Sequence, residues 1–355
     1  MAKLKKEAQQ AEQPAQTDAP VQGIQDDTAT DAPGERVPSA EEVKDRLSGK
    51  NRMHFEGLGM PWAVLLGANP ANLMSQVIAT VLNAGGTRPT WRWQNKDSEN
   101  NVTDYVLMAW PKEEPVRAAV LVAGPEGDKM HPVDAFPLLQ GLPNDLTVAE
   151  VHPWKEGHGA NVAAQVDEDH SPMWFYDPLY ERDRQDLTEG VMQTFLVAGL
   201  AFSVRKALLD ELTITQGPYY ESHAAKWLEE NPGKGRLDVP PLKIPMAGRH
   251  LIFPGRSFGE YELRARIMQV EEHKLDKMPV WILYLEFPFE EHQPLILPVY
   301  APKSVLKDYV PAAGDEIDAY VWLQGRVIDM EDQTQPMPAD LERDMPHPAP
   351  VSQDK

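Results

Sequence analysis

The chain has 355 residues with 33 prolines, 23 glycines and no cysteine, and 34 basic against 55 acidic residues leave a net charge of −21. The missing thiols exclude a disulfide scaffold, a thiolate nucleophile, a cysteine-ligated zinc and an iron–sulfur cluster. The charge opposes broad electrostatic binding to nucleic acid, and the length suits two ordinary domains.

Residues 1–37 are mostly Ala, Gln, Asp, Pro and Thr. Such a segment buries too little apolar surface to offset its ordering entropy and is predicted disordered. Basic Met1–Lys6 is followed by Glu7, Gln9, Gln10 and Glu12, where a secretory signal needs an apolar run, so a cytoplasmic location is expected. The longest apolar run, Phe195–Phe202, is far short of the roughly 20 residues of a spanning helix, and no membrane partner is expected. Ser39 and Glu42 form a capping box and Gly49 a stop, predicting a short helix or linker over 38–50.

Residues 51–237 read as an α+β domain, an antiparallel sheet with packed helices. Trp62–Leu66 is predicted as a short strand. Asn69-Pro70 then opens a helix that Gly85-Gly86 ends, with Leu73, Met74, Val77, Ile78, Val81 and Leu82 on one stripe. Arg88–Gln94, Val102–Trp110 and Val116–Ala123 are strands joined by polar turns, a meander against which that helix would pack. Further extended segments are expected over 146–166 and 172–180. Gly190–Lys206 has neither a clean helical nor a clean strand period. Tyr219–Glu230 reads as a surface helix, and the proline-rich stretch around 238–246 as a linker.

Residues 247–328 carry the clearest β signal. Tyr261, Leu263, Ala265 and Ile267 alternate with Glu260, Glu262, Arg264 and Arg266. Strands follow at Val280–Phe287, Pro294–Tyr300 and Asp315–Arg326, with a turn of helix at Ser304–Lys307. This order is similar to an OB-fold and predicts a small OB-like β-barrel. Residues 329–355 are acidic and proline-containing, a second disordered tail.

Phosphate loops, His-Glu-x-x-His helices and nucleophile elbows are absent. His152, His158, Asp167, Glu168, Asp169, His170 and Asp177 are the densest polar group, but their spacing matches no standard metal set, so no metal and no cofactor are expected. Asp177, between aromatics and followed by Arg182 and Arg184, is the leading candidate for a general base, with His152 and His158 beside it; buried hydrogen bonding at an Asp-Pro turn would equally account for it. Trp91 and Trp93 alternate with Arg92 and read as core. In the barrel, Tyr284, Tyr320 and Trp322 point away from the apolar face, near Arg264, Arg266 and Arg326. These six could form a stacking platform for a ligand, or a face that docks on the first domain.

Three functions follow as expectations. The first is a non-enzymatic binding or assembly protein with protein partners. The second is a single-stranded nucleic-acid binder, since a barrel followed by an acidic tail resembles the layout of single-stranded DNA-binding proteins. The third is a hydrolase-type enzyme centred on Asp177.

Overall fold

The computed structural model describes residues 56–67, 70–85, 91–112, 114–166, 171–208, 210–288 and 294–329. The two predicted tails, apart from Asp329, and the helix over 38–50 lie outside them. Gly59–Leu66 is a helix, α1, and not the strand expected at Trp62–Leu66. Its apolar run is too short to show a period. Pro61 fits the first turn, where no donor is needed, and Trp62 and Leu65, three apart, share the buried side. Pro70–Gly85 is the expected amphipathic helix, α2.

A meander follows, with β1 (Trp91–Lys96), β2 (Val102–Trp110), β3 (Val116–Pro125) and β4 (His131–Leu139) antiparallel in that order. Trp62, Val77, Ile78, Val81 and Leu82 of the helices cover one face, on Met108, Ala118, Val120 and Val122. The opposite face presents Leu107, Ala119, Leu121, Phe136 and Leu138, grouped with Trp91 and Leu179. Because both faces are covered, β3 is buried along nearly its whole length and reads as a continuous apolar run.

The remaining elements are β5 (Leu142–Pro153), β6 (Ala160–Gln165), β7 (Met173–Asp177), α3 (Tyr180–Asp183), β8 (Met192–Lys206), β9 (Glu211–Ile214), α4 (Pro218–Glu230), β10 (Leu242–Pro245), β11 (Leu251–Pro254), β12 (Glu260–Leu275), β13 (Met278–Phe287), β14 (Leu295–Pro302), α5 (Lys303–Leu306) and β15 (Glu316–Val327). Nine of these strands form one mixed sheet in the order β11-β12-β13-β14-β8-β15-β7-β6-β5. Two further pairings, β12 with β15 and β8 with β5, return the sheet on itself, so that the β8–β15 ladder belongs to two rings of strands.

This corrects the expected fold class. The protein is mostly β, with a four-stranded sheet and a large mixed sheet, and is not a helix-packed α+β domain followed by a small OB-like barrel. The strand between β14 and β15 is β8, drawn from well before residue 247. Residues 247–328 therefore do not close by themselves. One buried cluster accordingly joins Leu146, Val162, Phe175 and Phe195 to Leu263, Leu285, Val299, Val321 and Leu323.

The segment whose period was ambiguous, Gly190–Lys206, supplies this shared strand. Phe195, Val197, Ala201 and Val204 enter that cluster, whereas Ala198 and Leu200 enter a second one with Leu65, Val116 and Leu139 from the helix and sheet outside. A strand buried on both faces has no alternation to read. Among the described residues no helix is long and apolar enough to cross a membrane.

Between β8 and β11 the chain leaves the sheet. β9 and β10 pair as a two-stranded antiparallel ribbon, so Leu242–Pro245, within the stretch read as linker, is a strand. α4 returns its polar bonds to the same excursion, Tyr220 Oη donating to the Val239 carbonyl at 3.3 Å and Arg236 pairing with Glu221.

Candidate functional site

Asp177 ends β7 on the seam where the four-stranded sheet lies over the large one. It is fully buried. Its Oδ1 accepts the Leu179 backbone N–H at 2.8 Å across the Asp-Pro turn, and its Oδ2 meets no donor among the described residues. Burial, reinforced by the nearby Asp183 charge, pushes its carboxyl well above the ordinary range. Two residues beyond the turn, α3 brings Arg182 and Asp183 underneath. Arg182 Nε and Nη2 reach the two Asp183 oxygens at 2.5 and 3.0 Å, Nη1 reaches Asp329 at 2.5 Å, and Nη2 also donates to the Val327 carbonyl. Asp183 in turn accepts the Val327 N–H at 3.0 Å. Burial opposes the Arg182 charge, but Asp183 and Asp329 outweigh it and hold the guanidinium protonated.

Trp91 caps this network. Its indole donates to Asp329 at 2.7 Å, and the Arg326 guanidinium lies over its ring at 5.3 Å. The arrangement ties β1, α3 and the end of β15 together. It can hold a proton on the Asp177–Asp183 pair, and it satisfies charge that would otherwise be costly inside.

The two histidines sit apart. His152, on β5, is partly exposed, bonds Glu150 at 2.5 Å and packs edge-on against Trp174. His158, on the β5–β6 turn, stands edge-on to Tyr105 of β2, with Nδ1 buried and unpartnered among the described residues. Asp167–His170 lie outside the described residues.

The six residues proposed for a platform divide as follows. Tyr284 and Trp322 are 5% and 7% exposed, and share a buried cluster with Leu65, Val116 and Leu139 of the overlying elements. Tyr284 donates to Glu271 at 3.1 Å. Tyr320 donates to Glu260 at 2.5 Å, and burial with that carboxylate pushes its phenol up to about 12. Arg264 is bidentate to Asp318 at 2.7 and 3.0 Å. Arg326 is buried over Trp91, some distance along β15, and Arg266 alone is exposed. Tyr284 and Trp322 thus pack between the two sheets, while Tyr320 lies partly exposed against Glu260 and Phe202.

At the edge of the same seam is an open cleft of about 550 Å³. Gly57–Gly59 and Trp62 wall it on the α1 side, Val133–Ala135 of β4 on another, and Trp154, Glu156 and Gly157 of the β5–β6 turn on the third. Glu56, also lining it, accepts the backbone N–H groups of Lys155 and Glu156 at 2.9 and 3.2 Å, which fixes the turn. Asp134 Oδ1 takes the Ala135 N–H at 2.7 Å, while Oδ2 has only a long 3.5 Å contact from the His158 N–H. Burial pushes the Asp134 carboxyl upward. Behind Trp154, 4.4 Å from ring to ring, lies Tyr176, fully buried with its hydroxyl unpartnered among the described residues. That close packing requires a glycine at 159, where an added Cβ would stand 2.3 Å from the Tyr176 ring.

Sequence reasoning passed over Asp134 and Tyr176. Asp134 interrupts a run that is otherwise apolar from Val133 to Leu139, and such an isolated carboxylate in a strand was the available signal. Its meeting with Trp154 is a product of sheet packing and has no local trace. No protein-family model, no curated protein and no solved structure matches the chain.

Proposed function

We propose that the protein is a non-enzymatic binding or assembly protein that works through protein–protein contacts. The observation that carries this reading is the excursion at 207–247. It is an arm of a two-stranded ribbon and one helix in which Ala224 and Val239 are buried, while Leu208, Leu212, Tyr219 and Leu237 are exposed. Leu237 is 102% exposed. A two-stranded ribbon is marginal alone, offers open edges for a further strand, and gains most when a partner covers it. Met60, Met192, Phe253 and Val310 are exposed elsewhere, but the arm carries four exposed apolar side chains in one excursion with little core of its own, which favours contact with another protein.

The other two readings have less support. Two of the three aromatics expected to stack on bases, Tyr284 and Trp322, are engaged between the sheets, and Asp177 is sealed beneath the turn that it organises.

The test is the double substitution Leu212→Glu with Leu237→Glu. Tagged wild type is expected to retain partners from a lysate of its own cells after nuclease treatment, and the double variant to lose them while melting within a few degrees of wild type. Partners that persist on the variant, or that vanish with nuclease, would refute the reading.

A further inference from the structure

We infer that the outer edge of β9 pairs antiparallel with β9 of a second copy of this chain, about a two-fold axis at Thr213. This rests on reading the arm as a contact surface and names what covers it. The two edges of the ribbon are not equivalent. Leu242 pairs with Ile214, Lys243 with Thr213, Ile244 with Leu212 and Pro245 with Glu211. The next step of the same ladder is a hydrogen bond from the Met246 N–H to the Asp210 carbonyl at 2.8 Å. Because hydrogen-bonded and open positions alternate, residues 210, 212 and 214 turn their backbone groups inward to β10. Glu211, Thr213 and Thr215 then turn theirs outward. On β10 the outward positions are Lys243, Pro245 and, just before the strand, Pro241. Two prolines that lack an N–H, with a lysine between them, block that edge. The β9 edge keeps every donor, and among the described residues no strand reaches it.

The β9 edge is complementary to itself. A two-fold axis at Thr213 sets Thr213 against Thr213 and Glu211 against Thr215 of the second copy, so no like charges face each other. Exchange of both bonds at these pairs adds about six backbone hydrogen bonds. Leu212 then meets Ile214 of the second copy at the intervening open positions, where side chains approach most closely. The ribbon is also two-faced. Leu212, Ile214, Leu242 and Ile244 share one side, none of them fully buried and Leu212 38% exposed. Glu211, Thr213 and Lys243 share the other, where Lys243 pairs with Glu211 at 2.7 Å. Joining two ribbons at β9 makes one four-stranded sheet with a continuous apolar face, an isologous contact. Charge favours this place for self-association. The whole chain carries −21, whereas residues 207–247 hold six acidic against four basic residues, so repulsion between copies is weak here.

The purified full-length protein is measured by size exclusion with light scattering over a concentration series. Wild type is expected to approach twice the chain mass as concentration rises. Thr213→Pro removes the N–H at the axis, which bonds to nothing within the ribbon, and is expected to stay monomeric while melting within a few degrees of wild type. Thr213→Glu and Thr213→Lys set like charges across the axis, and each is expected to weaken the dimer by about 10-fold or more. Their mixture sets opposite charges there and is expected to restore a dimer. Should Thr213→Pro fail to fold, the Glu and Lys variants decide, since they leave the backbone unchanged. A wild type that is monomeric throughout, variants that dimerise as wild type does, or a mixture no better than its components overturns the inference. Lysate capture separates the dimer from the wider reading. A monomeric wild type that keeps its nuclease-resistant partners overturns the dimer alone, and one that captures nothing overturns the contact surface with it.

Discussion

The seam under the four-stranded sheet and the arm at 207–247 treat water in opposite ways. On the seam, Asp177, Asp183 and Arg326 are buried, Asp183 is held against Arg182, and Trp91, Arg182 and Asp329 connect three elements through short bonds. On the arm, a helix and a ribbon keep most of their surface outside, leucines included. Stability is thus concentrated where the sheets meet, and the surface free for a partner is concentrated where the chain leaves them. The cleft lies between the extremes, at the wet edge of the seam, and shares its polar character without its saturation.

The largest effect should come from breaking the saturated side. Arg182→Ala leaves Asp183 and Asp329 without their cation and is expected to cost about 3–5 kcal/mol in urea unfolding at neutral pH. A loss under about 1 kcal/mol would show the network to be dispensable. Next is Asp177. Its folded carboxyl is raised by burial, so the stability it contributes is fully present below the ordinary carboxylate value and is lost as pH rises through the raised one. Asp177→Asn keeps an oxygen for the Leu179 N–H and removes the buried charge. It should match wild type near pH 4 and exceed it at neutral pH by about 1–3 kcal/mol. The same stability difference at both pH values would mean that Asp177 is not the group titrating.

How much of this was legible depends on how local each signal was. The alternation of Glu260–Ile267 placed Tyr261, Leu263, Ala265 and Ile267 in the core, where they are found. The helix at Pro70–Gly85 was legible from its cap, its proline and its stripe. Closure was not legible, because β8 is buried on both faces and carries no period, and because its partners β14 and β15 lie about a hundred residues away. The outward aromatics Tyr284 and Trp322 were read as either a platform or a docking face, and a strand pattern does not distinguish them. Asp177 was singled out from its aromatic neighbours, whereas the cleft depends on Asp134 meeting Trp154, which no spacing along the chain announces.

The smaller predictions sharpen the same contrast. Asp134→Asn should change stability by no more than about 1 kcal/mol, since Asn retains an acceptor for the Ala135 N–H. Smallest of all, Leu237→Glu should shift unfolding by no more than about 0.5 kcal/mol, as expected where a side chain touches little.

The most direct measurement replaces residues 209–246 with a short glycine–serine linker and compares this protein with the full chain in partner capture after nuclease treatment. The account predicts that the body retains the melting temperature of the full chain within a few degrees while the nuclease-resistant partners disappear. Partners retained by the armless protein would contradict it.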